Sequence, residues 1–534
     1  MQRELMNVPL SPIRCLHRAV DLYGSKVGVV SGDRRFTYAE FGERCERLAT
    51  GLKGEGIRPG DRVAFLSFNN HQLLEGYFGV IQARAMVMPL NVRLTPAELI
   101  GVLNHAEPRM LAFENDFAPL VEQLQPYCPS IEKFVTLDEK IRAANFTYED
   151  LLSRGRPERA DIFTYDENSI AELFYTSGST GTPKGVMLSH RTLYLHALSV
   201  AVALNLRDSD VELHTIPLFH ANGWGRPQCH TLLGSKHVMV RRFEPTIVFK
   251  LIQEEKPTSM SLVPTMANAL LNAPDRGAFD LSSMRLAHIG GAAASPELIE
   301  RVEKTFGWEC VAGYGLTETA PVATSARRKS TVTYKDDADR YRRQAMAGWT
   351  LPGVDIRVVD SEMRDVPRDM ESVGEVVIFG DHVMDGYFRE PEATAAVMTG
   401  GWFHSGDMAV WDEEGYVHIV DRKKDIIISG GENISSIEVE KAIFAHPAVF
   451  ECAVVSAPDE KWGEIPVAIV VLKERETVSC DDLLRFLEQR LAKFKLPRRI
   501  EFSASPLPKT GSGKIVKRAL REEFWKDKDK RVQG

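Results

Sequence analysis

Short apolar runs alternate with amphipathic stretches along most of this 534-residue chain. Val63–Phe68 and Met86–Leu90 are two such runs, and the stretch between them has the spacing of an amphipathic helix. The pattern returns at 213–217, 260–263 and 286–290. Apolar runs separated by amphipathic helices predict βαβ units, in which a parallel sheet carries helices on both faces. We therefore expect an α/β fold with a large N-terminal domain.

Both ends of the chain depart from this alternation. Residues 15–60 predict a helix, a hairpin at a Gly-Asp turn and a second helix that Thr37 caps. After residue 350, β-forming runs between Gly and Asp predict a smaller β subdomain within the N-terminal domain. The charge-dense segment 327–343 is expected to be a solvated surface excursion.

A polar break at Asp421–Asp425 separates these regions from a compact C-terminal pattern. Beyond it the sequence predicts a small α+β domain with two strands between two helices. In the last helix, predicted over 481–494, a three- and four-residue spacing places Leu484, Leu487 and Leu491 on one apolar face.

Composition excludes several classes of protein. A hydrophobic fraction of 44% and a mean hydropathy of −0.19 exclude a disordered or fibrous chain. The net charge of −8 argues against nonspecific nucleic-acid binding, which needs a basic surface. Seven scattered cysteines form no disulfide framework, and neither a signal peptide nor a transmembrane segment is recognisable. We expect a cytoplasmic protein.

The strongest chemical signal is the segment Tyr175–Val186, which follows a predicted buried strand. Its glycines allow the backbone to approach a ligand closely, and its hydroxyls and lysine can bind an anion. A flexible linker would not carry Pro183 and Lys184 between glycines directly after a strand, and Pro183 and Gly185 exclude a Walker loop. The segment predicts a polyphosphate-binding loop formed by Thr176, Ser177, Gly178, Ser179, Thr180, Gly181, Thr182 and Lys184.

Four further motifs follow in order along the chain. They are Gly313–Thr319, Gly401–Asp407, Asp421–Asp425 and Pro508–Ile515. Together with the phosphate loop they resemble the adenylate-forming superfamily, which includes acyl-CoA synthetases, peptide-synthetase adenylation domains and beetle luciferases. The resemblance covers nearly the whole chain and points to the acyl-CoA synthetase branch, near the medium-chain fatty acyl-CoA and methylmercaptopropionate-CoA ligases.

That resemblance implies an ATP-dependent acid–CoA ligase that uses Mg²⁺ and coenzyme A. A carboxylic acid and ATP would give acyl-AMP and pyrophosphate, and coenzyme A would then give acyl-CoA and AMP. The resemblance implies that Glu318 and Thr180 hold Mg²⁺ and that Thr317 contacts the α-phosphate. Asp407 would accept the ribose hydroxyls and Arg422 would bind beside them. The remaining AMP-binding positions would be Gly291, Ala292, Gly313, Tyr314 and Gly315.

The C-terminal motifs imply a moving domain. Lys514 would be the catalytic cation that stabilises charge developing at the α-phosphate, whereas Lys509 and Lys517 are expected to be solvated. Lys424 would be the hinge, with residues 1–423 forming the AMP- and acyl-binding domain and 424–534 a mobile lid. Rotation about the hinge would exchange Lys514 for a coenzyme A site formed by Gly430, Gly431 and Glu432, in which Gly431 lines the pantetheine tunnel.

The acyl pocket is expected around residues 219–225. His220 stands where amino-acid-activating relatives carry an Asp, so an amine-bearing substrate would lose its partner. Trp224 offers a large apolar wall, and a polar or acidic substrate tail or a simple salt bridge both remain open for Arg226. The pocket residues implied by the resemblance are Phe219, His220, Trp224, Gly225, Gly290 and Gly315, with His220 also a catalytic candidate.

Three other functions remain open at this point. An aryl-acid–CoA ligase would use the same site, and an acyl-AMP ligase would pass its product to a carrier protein. A non-enzymatic ATP-binding protein is disfavoured because Glu318, Asp407, Arg422 and Lys514 are all present. A short- or medium-chain fatty acid is the leading substrate, and the resemblance leaves a homodimer open.

Overall fold

The computed structural model describes residues 7–177, 183–430, 432–459, 461–509 and 515–526. These residues form two compact units. The first contains the chain up to Ile356 together with Ile378–Phe403, and the second contains Arg357–Val377 and the chain from His404 onward. The predicted functional boundary between residues 423 and 424 stays a prediction.

Helices form at the amphipathic segments. In chain order they are α1 Pro12–Tyr23, α2 Tyr38–Gly54, α3 His71–Gln82, α4 Pro96–Ala106, α5 Ala118–Leu124, α6 Tyr148–Arg154, α7 His190–Ala203, α8 Ala221–Leu233, α9 Pro245–Glu255, α10 Pro264–Asn272, α11 Pro296–Phe306, α12 Asp337–Gln344, α13 Pro391–Val397, α14 Ser436–Phe444, α15 Cys480–Glu488 and α16 Lys517–Trp525.

Strands form at the apolar runs. They are β1 Val27–Ser31, β2 Arg34–Thr37, β3 Arg62–Leu66, β4 Met86–Pro89, β5 Met110–Phe113, β6 Lys133–Thr136, β7 Phe146–Thr147, β8 Ile170–Ser177, β9 Pro183–Ser189, β10 Val211–His214, β11 Lys236–Met239, β12 Ser259–Leu262, β13 Leu286–Ile289, β14 Glu309–Tyr314, β15 Thr324–Ser325, β16 Trp349–Thr350, β17 Val354–Val359, β18 Gly374–Gly380, β19 Gly386–Tyr387, β20 Phe403–Trp411, β21 Val417–Arg422, β22 Ile427–Ser429, β23 Glu432–Ile434, β24 Val449–Asp459, β25 Gly463–Leu472 and β26 Arg499–Phe502.

The first unit contains two large sheets. One has nine strands in the order β16-β15-β14-β13-β12-β10-β11-β1-β2, and the other has eight in the order β19-β9-β8-β4-β3-β5-β6-β7. The central strands of each are parallel and antiparallel pairs lie at the edges. Helix α3 is buried on every side because it contacts strands of both sheets. These sheets confirm the predicted α/β class.

The second unit is smaller. Strands β20 and β21 pair antiparallel in a four-stranded sheet, β17-β18-β20-β21, and a five-stranded sheet carries α14, α15 and α16.

The predicted hairpin and helix near the N-terminus of the chain are also present, and Thr37 caps α2 by accepting a 3.3 Å hydrogen bond from the Glu40 amide.

Two predictions need correction. The segment 327–343 is largely exposed as expected, but it also contains most of α12, where Tyr341 is buried and Arg340 pairs with Glu303 at 2.7 Å. The last predicted helix ends at Glu488, and its buried face carries Leu483 and Leu487 instead of Leu484. Residues four apart align on a helix, so one residue of offset rotates a side chain away from the core.

Candidate active site

The phosphate loop connects two antiparallel strands. Thr176 at the end of β8 lies opposite Lys184 in β9, and Ser177 lies opposite Pro183. The strand predicted before the loop is therefore confirmed. The loop itself, Gly178, Ser179, Thr180, Gly181 and Thr182, lies outside the described residues, as does the Ser177 side chain.

Tyr387 connects the phosphate-loop lysine with the predicted magnesium carboxylate. The Lys184 ammonium lies 4.6 Å from the centre of the Tyr387 ring, and the Tyr387 hydroxyl donates a 3.0 Å hydrogen bond to Glu318 Oε1. Strand β19 holds Tyr387 there by pairing it with Val186 of β9. Sequence reasoning missed Tyr387, because a single tyrosine in a two-residue strand has no periodicity to reveal it.

Glu318 fits the role of a magnesium ligand. It lies with Thr317 in a short 3-10 turn, Thr317–Thr319, and its backbone carbonyl accepts a 2.8 Å hydrogen bond from the Met384 amide. One hydrogen bond from Tyr387 leaves the carboxylate with lone pairs for a cation. Mg²⁺ is usually bound by one or two carboxylates and the substrate phosphates, whose negative charge it neutralises.

The backbone of the expected acyl segment is left-handed. Five consecutive residues, Ala221–Gly225, have positive φ angles between 40° and 72°. A left-handed conformation costs about 1–2 kcal/mol for each residue with a Cβ. Surrounding structure must therefore hold the segment, and strain of this kind is concentrated at functional sites.

Hydrogen bonds from α3 and the residues before it hold the chain leading into that segment. The Asn69 side chain accepts from the Leu218 amide at 2.7 Å and donates to the carbonyls of His214 and Ile216. The Tyr77 hydroxyl donates to the Leu218 carbonyl at 2.6 Å. Phe219 is buried, and half-buried His220 immediately precedes the left-handed turn.

Trp224 and the glycines after β13 come together as expected. A Cβ on Gly290 or on Gly291 would lie 3.1 Å from the Trp224 ring, so the absence of side chains there leaves room for the indole against the backbone. A Cβ on Gly225 would lie 2.2 Å from the His196 ring, and the residue has a φ of +72°. Any side chain at Gly225 would therefore be excluded by space and by conformation.

In the first unit, the other residues predicted to bind the nucleotide lie at the end of β14 or just after a strand. Gly313 and Tyr314 end β14, Gly315 follows it, and all three residues are half-buried. A Cβ on Gly315 would lie 1.8 Å from the Pro321 carbonyl oxygen. Ala292 is exposed in the turn after β13.

Glu172 holds the left-handed segment from the other sheet. Its buried carboxylate accepts 2.7 Å hydrogen bonds from the side-chain amides of Asn222 and Gln228. Burial raises the pKa of Glu172 to about 8, although both amides favour the charged form. The folded protein therefore keeps this proton over a pH range in which the unfolded chain has released it.

Glu172→Gln should remove a pH dependence of stability. Because the pKa is raised in the folded protein, protonated Glu172 contributes to the free energy of unfolding. This contribution is fully present below the unfolded pKa of 4.5 and is lost as pH rises through about 8. Its upper limit is about 5 kcal/mol, at about 1.4 kcal/mol per pKa unit. Chemical denaturation from pH 5 to 9 should show a smaller loss of unfolding free energy in the variant than in the wild type. Glu413→Gln, at an exposed carboxylate, is the control, and equal pH slopes in all three proteins would contradict the assignment.

In the second unit the predicted ribose residues meet. Asp407 of β20 lies opposite Arg422 of β21, and Arg422 Nε is 2.5 Å from Asp407 Oδ1. The Ser405 hydroxyl accepts a 3.1 Å hydrogen bond from the Asp407 amide and donates to the Val376 carbonyl. Asp407 is almost fully buried, so its carboxylate is fixed in orientation.

Hydrogen bonds join the chain before Lys424 to the chain after it. The Ser435 hydroxyl donates to the Val420 carbonyl, and the amide and hydroxyl of Ser436 donate to Asp421 Oδ2, all at 2.6 Å. Burial lowers the pKa of Lys424. A rotation at Lys424 would have to break these bonds.

The expectation that Lys517 is solvated is wrong. It is half-buried, with 17% of its side chain exposed, donates a 2.6 Å hydrogen bond to the Ser436 hydroxyl and pairs with Glu440 at 2.8 Å. Burial alone would lower the pKa of Lys517, but Glu440 and Asp421 raise it. Lys509, by contrast, is partly exposed and pairs with Glu451 at 2.5 Å.

Lys514 and Gly431 lie outside the described residues. Their neighbours Gly430 and Glu432 are in the second unit, where the Gly430 amide donates a 2.8 Å hydrogen bond to the Trp462 carbonyl and Glu432 is exposed. No helix among the residues described by the structure has both the length and the apolar character needed to cross a membrane.

Comparison with known proteins agrees with this geometry. Residues 16–388 match the family model "AMP-binding enzyme", and residues 438–514 match "AMP-binding enzyme C-terminal domain". A long-chain-fatty-acid–CoA ligase of Thermus thermophilus is 40% identical over 95% of this chain and 94% of its own length. A peroxisomal butyrate–CoA ligase of Arabidopsis thaliana is 36% identical over 97% and 94%.

Solved structures show the same fold. An anthranilate CoA ligase in complex with anthranoyl-AMP covers 97% of this chain and 98% of its own, with a TM-score of 0.87 and 27% identity. The chain belongs to the AMP-binding enzyme family, on the acyl-CoA synthetase branch of the adenylate-forming superfamily, and is an enzyme of the AMP-forming acid–thiol ligase type.

Proposed function

We propose that this enzyme joins a short- or medium-chain carboxylic acid to coenzyme A. The acid and ATP give acyl-AMP and pyrophosphate, and coenzyme A then displaces AMP to give the thioester. The observation that carries the proposal is Trp224, whose ring packs against Gly290 and Gly291 and offers an apolar wall four residues after His220. An apolar wall favours a hydrocarbon chain, and His220 offers no carboxylate for a substrate amine.

The first half-reaction needs two anions brought together. Lys184 and the loop hydroxyls bind the polyphosphate, and Glu318 holds Mg²⁺, which when bound neutralises phosphate charge. Tyr387 fixes the Glu318 carboxylate. Asp407 and Arg422 bind the ribose side, and Lys514 stabilises the charge that develops as the carboxylate attacks the α-phosphate.

The second half-reaction uses a different arrangement of the C-terminal domain. Rotation about Lys424 moves residues 424–534 relative to residues 1–423, removes Lys514 and brings Gly430, Gly431 and Glu432 to the pantetheine arm. The bonds across the hinge from Ser435 and Ser436 stabilise one of the two arrangements.

Two rival activities share the site. An aryl acid would stack on Trp224, and the likeness to an anthranilate CoA ligase supports that alternative. A ligase that transfers its acyl-AMP to a carrier protein would need no coenzyme A. The cytoplasmic location and the homodimer stay predictions.

A panel of acids measures both the activity and the substrate class. Straight-chain acids from C2 to C16 and a set of aryl acids are incubated with ATP and Mg²⁺, with and without coenzyme A, and AMP release is measured. We expect AMP release that depends on coenzyme A, with the highest kcat/KM among the short- and medium-chain acids. If AMP release were independent of coenzyme A for every acid, the acid–CoA ligase activity would be excluded. If the highest kcat/KM were found among the aryl acids, the aryl-acid–CoA ligase would be favoured.

A further inference from the structure

One face of the nine-stranded sheet is polar although it is fully buried. Alternate residues of its central strands point towards α8, and none of these side chains is more than 2% exposed. The opposite face is apolar and belongs to a large hydrophobic core. The polar face consists of Glu212, His214, His237, Ser259, Ser261 and His288.

Arg226 of α8 lies over this polar face. Its guanidinium donates a 3.2 Å hydrogen bond to the Ser261 hydroxyl and lies 3.6 Å from Glu212. Ser261 is the strand partner of His288, so Arg226 and His288 flank the same position of the sheet. A charged side chain that is only 1% exposed needs compensation for its lost hydration.

Hydrogen bonding is incomplete in two places along the polar face. His230 of α8 lies 3.3 Å from Glu212, yet neither of its ring nitrogens has a hydrogen-bond partner among the described residues. His214 and His237 bond to each other at 2.9 Å, and Thr231 bonds to His237 at 3.1 Å. Towards β13 and β14, Arg226 Nη1 and both ring nitrogens of His288 have no hydrogen-bond partner among the described residues. Buried polar groups are nearly always paired, so these three atoms indicate a ligand position.

The end of the face with Arg226 and His288 adjoins the expected acyl pocket. The rings of Trp224 and His288 meet edge to face, with their centres 6.2 Å apart. A Cβ on Gly313 would lie 2.3 Å from His288 Nε2, so the backbone at Gly313 approaches the imidazole closely. A substrate chain that passes the Trp224 wall would reach these groups with its far end.

The charges of Arg226 and Glu212 cancel. Burial would raise the pKa of Glu212, but Arg226 and His230 hold it well below its usual range, so Glu212 is anionic beside the arginine. Burial, with Arg226 nearby, lowers the pKa of His288 to about 3, so its imidazole is neutral and offers one donor and one acceptor. A carboxylate here would be a buried charge without a counterion, whereas a hydroxyl can accept from Arg226 and donate to His288.

We propose that the acid carries an uncharged hydroxyl at its far end, which Arg226 and His288 bind, so that these two residues determine substrate specificity. The inference rests on the proposed function and narrows its substrate to hydroxy acids. Neither a plain hydrocarbon end nor a second carboxylate satisfies Arg226 Nη1 and His288 without a cost.

Matched sets of acids test the inference. Each set contains a plain, a hydroxy and a dicarboxylic acid of similar length: butyrate, 4-hydroxybutyrate and succinate; hexanoate, 6-hydroxyhexanoate and adipate; benzoate, 4-hydroxybenzoate and terephthalate. In at least one set we expect the hydroxy acid to exceed the plain acid in kcat/KM by about 10- to 100-fold, with the dicarboxylic acid lowest. A plain or dicarboxylic preference in every active set would overturn the inference and leave the ligase intact, whereas no coenzyme A-dependent AMP release would remove the proposed function itself.

Variants assign the preference to the cluster. Arg226→Met would leave Glu212 as a lone buried charge, so the double variant Arg226→Met/Glu212→Gln is used. It should lose the hydroxy-acid preference, so that the hydroxy and plain acids of one set give similar kcat/KM values, while Glu212→Gln alone should improve the relative kcat/KM of the dicarboxylic acid. Arg301→Leu, at an exposed position, is the control. If the folded double variant kept the hydroxy-acid preference, the role of Arg226 would be overturned. Thermal melting shows which variants fold. If the double variant does not fold, the acid sets measured with the wild-type enzyme decide.

Discussion

Lys514→Ala should abolish adenylation and leave thioester formation nearly unchanged. The side chain is assigned to the charge that develops between the carboxylate and the α-phosphate, and removal of one such group costs about 10²- to 10³-fold in rate. The acid-dependent exchange of radioactive pyrophosphate into ATP measures the first half-reaction. Release of AMP from supplied acyl-AMP and coenzyme A measures the second.

The matched control is Lys493→Ala, at an exposed lysine of the second unit, so both half-reactions should stay near wild-type rates. Lys509 and Lys517 are no controls, because each pairs with a largely buried carboxylate, Glu451 or Glu440, which would lose its cation. If Lys514→Ala slowed both half-reactions equally, the assigned role would be refuted in favour of a structural one.

The fold could be predicted because its signals are local. Apolar runs, helical spacing and the Thr37 capping box lie within a few residues of each other, and the strands at 354–359 and 286–289 form where expected. The errors have the same origin. Leu483 and Leu484 are equally apolar, and only the packing of α15 on the C-terminal sheet decides which of them is buried.

The candidate site was predictable only where its residues form a run. The phosphate hairpin and the Asp407–Arg422 pair follow from short motifs. Tyr387 and Arg226 do not, because the first acts through the register of β19 and the second through a polar face assembled from four strands. An alternation such as Ser259-x-Ser261 is the faint signal that could have revealed that face.

The polar face also changes the interpretation of Arg226. The sequence left both a polar substrate tail and a simple salt bridge open, and the structure gives Arg226 a carboxylate partner in Glu212. A salt bridge alone leaves Nη1 unpaired. Because the pair is neutral as a whole, it can bind a dipole such as a hydroxyl better than it can bind a second anion.

Substitution at Gly431 should have the opposite effect to Lys514→Ala. Gly431 is assigned to the wall of the pantetheine tunnel, where a larger side chain obstructs the thiol arm while the first half-reaction proceeds elsewhere. We expect Gly431→Leu to keep pyrophosphate exchange within about twofold and to lower AMP release from supplied acyl-AMP and coenzyme A by about 10²-fold or more, the loss that even a small misplacement of reacting groups can cause.

A series at this one position separates obstruction from misfolding. Gly431→Ala should lose less activity than Gly431→Leu, because a methyl group blocks less of a tunnel than an isobutyl group does. Burst experiments should show acyl-AMP accumulating on the enzyme in both variants, since its formation is intact and its consumption is slow. Full coenzyme A turnover by Gly431→Leu would show that the pantetheine arm passes elsewhere. Equal loss of both half-reactions would mean that Gly431 supports the folded domain instead of the thiol path.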